Sequence, residues 1–400
     1  MRRSGNFKLL LGAASVSNLG DGVTLAALPL LVATLSRDPL VVAGVAFVAR
    51  LPWLLFALPV GVLTDRWDRR VIMWRANACR FVVLSALAVA VATAVHSVWA
   101  IYVAAAVAGA AEVFYDNSAQ TLLPSLVQPQ DLHQANGQLG AAELVANGLV
   151  GPPLGAALFA VAAALPLFFD AATFGVSALL IVAIPGVYRP PSRPGPSRLR
   201  TEMKDGIAWL WRHDLLRILA ILLAVTNFAG NAGLSILVLF AQDDLGLGDL
   251  GFGLLLTAGA AGGLAGSLAA SRIHNRFGPG PTMLTAYVVI ATALLLIAFT
   301  TSGIVAGLLI AAVSFAGMTW NVITVSARQV LIPDDMLGRV NSVYRFLGWG
   351  AIPLGAIAGG FVAAATNVNT VFVAAGLLQL TVAAFAGPRL LRRASVLETS

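Results

Sequence analysis

Long runs of the chain carry no charged residue at all, among them Leu144–Phe169, Ile218–Gln242, Leu250–Ser271, Phe277–Ala327 and Phe346–Pro388. A helix needs about 20 predominantly apolar residues to cross the hydrocarbon core of a bilayer. The last two runs are long enough for two crossings each, with polar turns at Thr300–Gly303 and Thr366–Asn369 as the breaks. Hydrophobic residues make up 58% of the 400 and the mean hydropathy is +0.86. A water-soluble core cannot hide that much apolar surface. These features predict an all-α polytopic membrane protein.

Twelve helices are expected, roughly over 8–36, 39–64, 70–95, 98–124, 133–161, 165–187, 214–242, 247–272, 280–300, 303–330, 337–365 and 368–388. The opening MRRSGNFKLLLGAASVS has the basic end and apolar stretch of a secretory signal. Its apolar pattern continues through Leu35 without a convincing cleavage site, which favours a first membrane helix. With the N-terminus inside, Arg2, Arg3, Arg66–Arg70, the 189–217 segment, Arg272, Arg276, Arg339 and Arg389–Arg393 all fall on one side. Arg37 remains on the other, beside Asp243, Asp244 and Asp249. This positive-inside asymmetry predicts cytoplasmic termini in a plasma or inner membrane. It also accounts for the net charge of +7 without nucleic acid as a partner. A single cysteine, Cys79, excludes an internal disulfide and any cysteine-based metal cluster.

The linker VYRPPSRPGPSRLR, from Val187 to Arg200, is too rich in proline and arginine to pack as an element. In TEMKDGIAWLWRH just after it, Ile207, Leu210 and Trp211 share one helical face, which suggests a short interfacial helix. The expected organisation is a six-helix bundle over 1–187, a linker over 188–213, a second bundle over 214–388 and a tail over 389–400. The halves resemble each other: SAQTLLPSLVQPQDL at 118–132 echoes SARQVLIPDDML at 326–337, and PLGA recurs at 153–156 and 353–356. Two ordered matches around a central linker point to a duplicated six-helix unit.

GVLTDRWDRR, residues 61–70, is similar to the loop signature G-x-L-x-D-R-x-G-R-R that major facilitator superfamily proteins carry between helices 2 and 3. Gly61, Leu63, Asp65, Arg66, Arg69 and Arg70 match, and Asp68 replaces the second glycine. SNLGDGVTLAALPLL, RLPWLLFALPVGVLTDRWDRR and GRVNSVYRFLGWGAIPLGAIAGG resemble the branch of enterobactin-exporter-like and macrolide-efflux-like proteins. NGLVGPPLGA approximates the antiporter signature of helix 5, G-x-x-x-G-P-x-x-G-G. Gly151, Pro152 and Gly155 match, and Asn147 and Ala156 depart from it. A small-residue packing face of Gly148, Gly151 and Gly155 is the alternative reading. The superfamily's helix 4 arginine has no equivalent in VAGAAEVFYDNSAQ. The resemblance further implies that Asp65 meets the start of helix 11, near Leu337–Arg339, as one part of a conformational latch with Gly61, Arg66, Arg69 and Arg70. The corresponding stretch GSLAASRIHNRFG has Ala270 in place of that acid.

Ionisable groups near the bilayer midplane cost at least ~2.5–3.5 kcal/mol each, so each one requires a reason. Asp21, Glu112, Asp116 and Glu143 lie at such depth, all in the first half, and Asp170 lies nearer the outer end of its helix. Asp21 and Arg50 are each about halfway along their helices, which suggests an ion pair. Asp116 is one turn beyond Glu112 on the same face, a pair suited to exchanging protons. Asp21, Arg50, Glu112, Asp116 and Glu143 are therefore the proton-coupling candidates. The resemblance implies that helices 1, 4, 7 and 10 line a central cavity, which adds Asn18, Asn227, Asn231, Trp320 and Asn321 as substrate candidates. Asparagine in a membrane helix serves equally well as packing glue.

The histidines His96, His133, His213 and His274 have no zinc spacing, and no metal or cofactor is expected. GAAGGLAG at 259–266 lacks the Lys-Ser/Thr of a phosphate loop, so ATP is not the expected energy source. No nucleophile–base constellation suggests an enzyme. The expectation is a monomeric secondary transporter that exports a moderately hydrophobic drug, antibiotic or siderophore in exchange for protons. An importer of a small metabolite, or a transport-inactive membrane sensor or scaffold, are the alternatives.

Overall fold

The computed structural model describes residues 2–64, 67–95, 97–189 and 199–394. Twelve helices among the described residues are long and apolar enough to cross a bilayer. They are α1 (Arg2–Leu35), α2 (Pro39–Thr64), α3 (Arg69–Ala92), α4 (Val98–Leu126), α5 (Pro129–Val161), α6 (Leu165–Val182), α7 (Asp214–Ser235), α8 (Asp249–Phe277), α9 (Pro279–Ile297), α10 (Gly303–Leu331), α11 (Asp334–Ala365) and α12 (Val368–Ala394). No strand occurs among the described residues. Helices suit this solvent because each satisfies its own backbone hydrogen bonds, which lipid cannot do.

Several boundaries differ from the sequence expectation, each for a local reason. The first helix begins at Arg2, well before residue 8. α6 stops at Val182, short of 187, ahead of Pro185 and of Gly186 at φ +116°. α8 runs on to Phe277 and is ended by Gly278 at φ +76°. α12 continues through Arg389, Arg392 and Arg393 to Ala394, so arginines expected in a tail stand on a helix. α7 breaks at Ile236 and is followed by a π turn over Phe240–Asp244. Short polar side chains mark helix starts: the Asp68 carboxylate accepts from the Arg70 amide at 3.0 Å, and Ser97 and Ser302 cap α4 and α10.

The chain forms two compact units, Met1–Pro194 with Leu247–Thr257, and Gly195–Gly246 with Ala258–Ser400. Within the first, α3 packs against α4 and α6, α1 against α5 and α6, and α2 against α4. Within the second, α9 packs against α10 and α12, and α7 against α11 and α12. The short helix Leu199–Arg212 buries Leu210 and lies against α11, leaving Ile207 and Trp211 exposed.

The sequence repeat has a geometric counterpart. A Cβ on Gly155 of α5 would stand 2.9 Å from the carbonyl carbon of Val23 on α1. A Cβ on Gly355 of α11 would stand 2.8 Å from the carbonyl carbon of Phe228 on α7. The two PLGA glycines thus make the same close backbone approach, one in each unit, which a side chain would prevent.

A charged centre in the first unit

Four helices of the first unit each contribute one ionisable residue to a continuous network. The guanidinium of Arg80, on α3, is only 2% exposed. Its Nη2 lies 2.9 Å from Asp21 Oδ1 on α1 and 3.6 Å from Glu112 Oε2 on α4. Its Nε donates to the Ala108 carbonyl at 3.3 Å, and its Cζ sits 4.2 Å over the Phe174 ring of α6. Glu112 then faces outward to Arg50 on α2, Oε1 to Nη1 3.6 Å. In the order Asp21–Arg80–Glu112–Arg50 the buried member is Arg80, flanked by partly exposed carboxylates, with side-chain exposures of 24% for Asp21, 28% for Glu112 and 46% for Arg50.

The expected Asp21–Arg50 pair is therefore corrected: Asp21 is bound by Arg80, and Arg50 reaches Glu112. The cause is packing. α2 rests on α4, so its guanidinium meets the α4 carboxylate, whereas α3 lies in the groove between α4 and α6. One turn before Arg80, buried Asn77 donates to Ser177 Oγ at 2.8 Å, and Ser177 donates to the Ala13 carbonyl at 2.9 Å. These bonds fix α3, α6 and α1 in register around the cation. Asp116 and Glu143 lie within electrostatic range of Glu112, and Glu143 is exposed.

Asp170 on α6, expected nearer the outer end, is 1% exposed. Thr24 of α1 donates to its Oδ2, and Thr173 to its Oδ1 at 3.2 Å. Gly20 makes room for it, because a Cβ there would lie 3.0 Å from the Asp170 Cγ and nearer still to its oxygen. The α5 motif stands directly behind. A Cβ on Gly151 would sit 2.5 Å from Gly22 Cα, Pro152 is buried, and a π-helical segment, Leu144–Val150, precedes them. Gly151 and Gly155 thus act as a packing face that holds the α1 turn carrying Asp21.

The remaining candidates are dispersed. Asn18 donates to the Ala14 carbonyl of its own helix at 2.9 Å. Asn227 donates to the Gly348 carbonyl of α11 at 2.8 Å, and Asn231 to the Asn227 carbonyl at 2.9 Å. Asn321 is exposed. Trp320, expected to face substrate, is 3% exposed and packs on Tyr287, ring centroids 5.7 Å apart, so it belongs to the core of the second unit. Of the expected latch, Gly61 falls in α2, while Asp65 and Arg66 lie outside the described residues. Arg69 donates to the Thr121 carbonyl at 2.8 Å, in the turn of α4 that Pro124 disturbs, and Arg70 to the Gly186 carbonyl at 3.0 Å. Both arginines clamp helix ends within the first unit.

Sequence reasoning missed Arg80. Its signal was depth: counted from Arg69 at 1.5 Å per residue, it lies roughly 16 Å into α3, well beyond the basic loop.

Comparisons with known proteins agree with this architecture. A family model described as transmembrane secretion effector matches residues 2–396. The multidrug efflux pump Tap of Mycolicibacterium fortuitum is 27% identical over 401 residues, covering 97% of each chain. Its namesake in Mycobacterium tuberculosis is 28% identical over 387 residues, covering 92% of this chain and 90% of that one. Among solved structures, the nucleoside transporter NupG superposes with a TM-score of 0.75 at 14% identity, covering 96% of this chain and 98% of that one. A bacterial homologue of the iron transporter ferroportin, in an inward-facing state, superposes with a TM-score of 0.74 at 18% identity, over 96% and 98%. With its twelve apolar helices and a match over nearly its whole length, the chain belongs to the transmembrane secretion effector family of major facilitator superfamily transporters.

Proposed function

We propose that the chain is a proton-coupled exporter of small, moderately hydrophobic molecules, working by alternating access, with Asp21, Arg80 and Glu112 as its coupling centre. The observation that carries this reading is one buried guanidinium shared by two carboxylates. Arginine keeps its charge in proteins, so the cation stays fixed while its partners can change. A proton taken up by Glu112 leaves Asp21 as the sole close counter-ion of Arg80 and releases Arg50. A proton on Asp21 transfers the guanidinium to Glu112. Each arrangement balances the buried charge with a different pair of helices, α1 with α3 or α3 with α4. Proton uptake thereby biases helix positions, as differential stabilisation of two states requires. Efflux is supported by the relatives that are named multidrug efflux pumps. The distribution of basic residues supports an orientation with both termini in the cytoplasm.

Substrate accumulation in cells expressing the protein, across a compound panel with and without an uncoupler, tests the reading. Export that collapses on uncoupling is expected for the native chain. Asp21→Asn and Glu112→Gln should each lower it on the order of tenfold, about 1.4 kcal/mol, with insertion unchanged. Undiminished export in both variants removes the centre from coupling, and accumulation that rises on expression overturns export itself.

A further inference from the structure

At one end of the second unit, where α7 begins and α12 ends, the surface opens into a groove of about 670 Å³. Its charged rim holds Arg217, Arg389, Arg392 and Arg393, with Asp214 as the one acid among the described lining residues. That carboxylate is divided between two of them, Oδ1 to Arg217 Nη2 at 3.0 Å and Oδ2 to Arg393 Nη2 at 2.8 Å. Arg217 also donates to the Trp211 carbonyl at 2.8 Å, which ties the rim to the short helix Leu199–Arg212. With Arg389 beside that shared carboxylate, the rim keeps an excess of positive charge among the described residues. One turn deeper along each helix the lining turns apolar, with Ile221 half-exposed and Phe385 73% exposed.

We propose that this groove binds an anionic phospholipid, its phosphodiester on the arginine rim and an acyl chain along Ile221 and Phe385. Guanidinium forks match phosphate oxygens in geometry and charge. Basic pockets between membrane helices at headgroup depth are suited to such headgroups. The exposed apolar wall distinguishes a lipid from free phosphate, which has no use for it. Asp214 acts as an internal competitor: it holds Arg217 and Arg393 in place and partly neutralises them.

The test uses the full chain in phosphatidylcholine nanodiscs titrated with phosphatidylglycerol, read by native mass spectrometry and by the thermal midpoint. Saturable binding is expected. Arg217→Gln with Arg389→Gln should weaken it roughly 30-fold, the two arginines contributing similar factors. Asp214→Asn should tighten it several-fold, a change in direction that misfolding does not imitate. Phe385→Ser should weaken it with the charges intact. Arg272→Gln with Arg276→Gln, which alters basic residues elsewhere, should leave it unchanged. Equal losses in that control pair mean a diffuse field and overturn the site. An equal midpoint shift with inorganic phosphate, or unaltered lipid binding in the Arg217/Arg389 variant, overturns the lipid assignment.

Discussion

The two units share a scaffold and differ at its centre. In each, a PLGA glycine brings α5 or α11 against the backbone of α1 or α7, at Val23 and Phe228 respectively. Two residues before those contacts stand Asp21 and Thr226. In the first unit Asp21 meets Arg80, which touches Glu112 of α4 and the Phe174 ring of α6. In the second unit Tyr287 of α9 lies beside Thr226 and packs on Trp320 of α10, and Thr226 donates to Gln379 of α12 at 3.4 Å. The same four-helix position is an ion network in one half and an uncharged cluster in the other. The charged cluster lies at this position in one unit, and the matching position of the other holds uncharged side chains.

The sharpest way to break this comparison is to remove the cation. Arg80→Leu leaves Asp21 and Glu112 without their buried partner, and breaking a buried pair from one side costs about 3–5 kcal/mol. Export should be lost and the thermal midpoint should fall. Tyr287→Phe, at the corresponding position, should cost no more than about 1 kcal/mol and leave export near the native level. Similar losses from both changes would mean that the centres do not differ in function.

The reverse exchange sharpens the correspondence. Thr226→Asp introduces an acid without a cation at membrane depth, at roughly 2.5–3.5 kcal/mol. Adding Tyr287→Arg should recover most of that loss, and thermal midpoints of the four proteins give the coupling directly. Absence of coupling would show that Tyr287 does not stand where Arg80 does.

Where the units agree, equal effects are expected. Gly155→Val and Gly355→Val each force a side chain against a backbone, at about 1–3 kcal/mol. Midpoint shifts that differ by more than about 1 kcal/mol would mean that the two close approaches carry different loads.

Much of this was legible in the residues. Uncharged runs announced the twelve helices because lipid leaves a chain few other ways to satisfy its backbone. Two ordered matches around the linker announced the duplication, and one of them, PLGA, falls where close backbone approach demands glycine. The acids Asp21 and Glu112 were legible by depth alone, and their partners were not. Pairing depends on which helices are neighbours in the bundle, and α3, packed mainly on α4 and α6, reaches α1 through the Arg80 side chain. Arg50 is as deep along its helix as Asp21, yet depth specifies a layer and not a neighbour. Asp170 stands near the start of its helix as its sequence position indicates, but its burial was not legible, because it comes from Gly20 and Thr24 on a helix far away in sequence.

The smallest effect isolates the ring beneath the cation. Phe174→Leu keeps apolar volume near Arg80 while removing the aromatic face, and a desolvated cation–π contact is worth about 0.5–2 kcal/mol. The midpoint should fall by that amount, with export retained because both carboxylates keep their guanidinium. In an Arg80→Leu background the same change should cost nothing further, since no charge remains for the ring to attract. A loss of equal size in both backgrounds would assign Phe174 to simple packing.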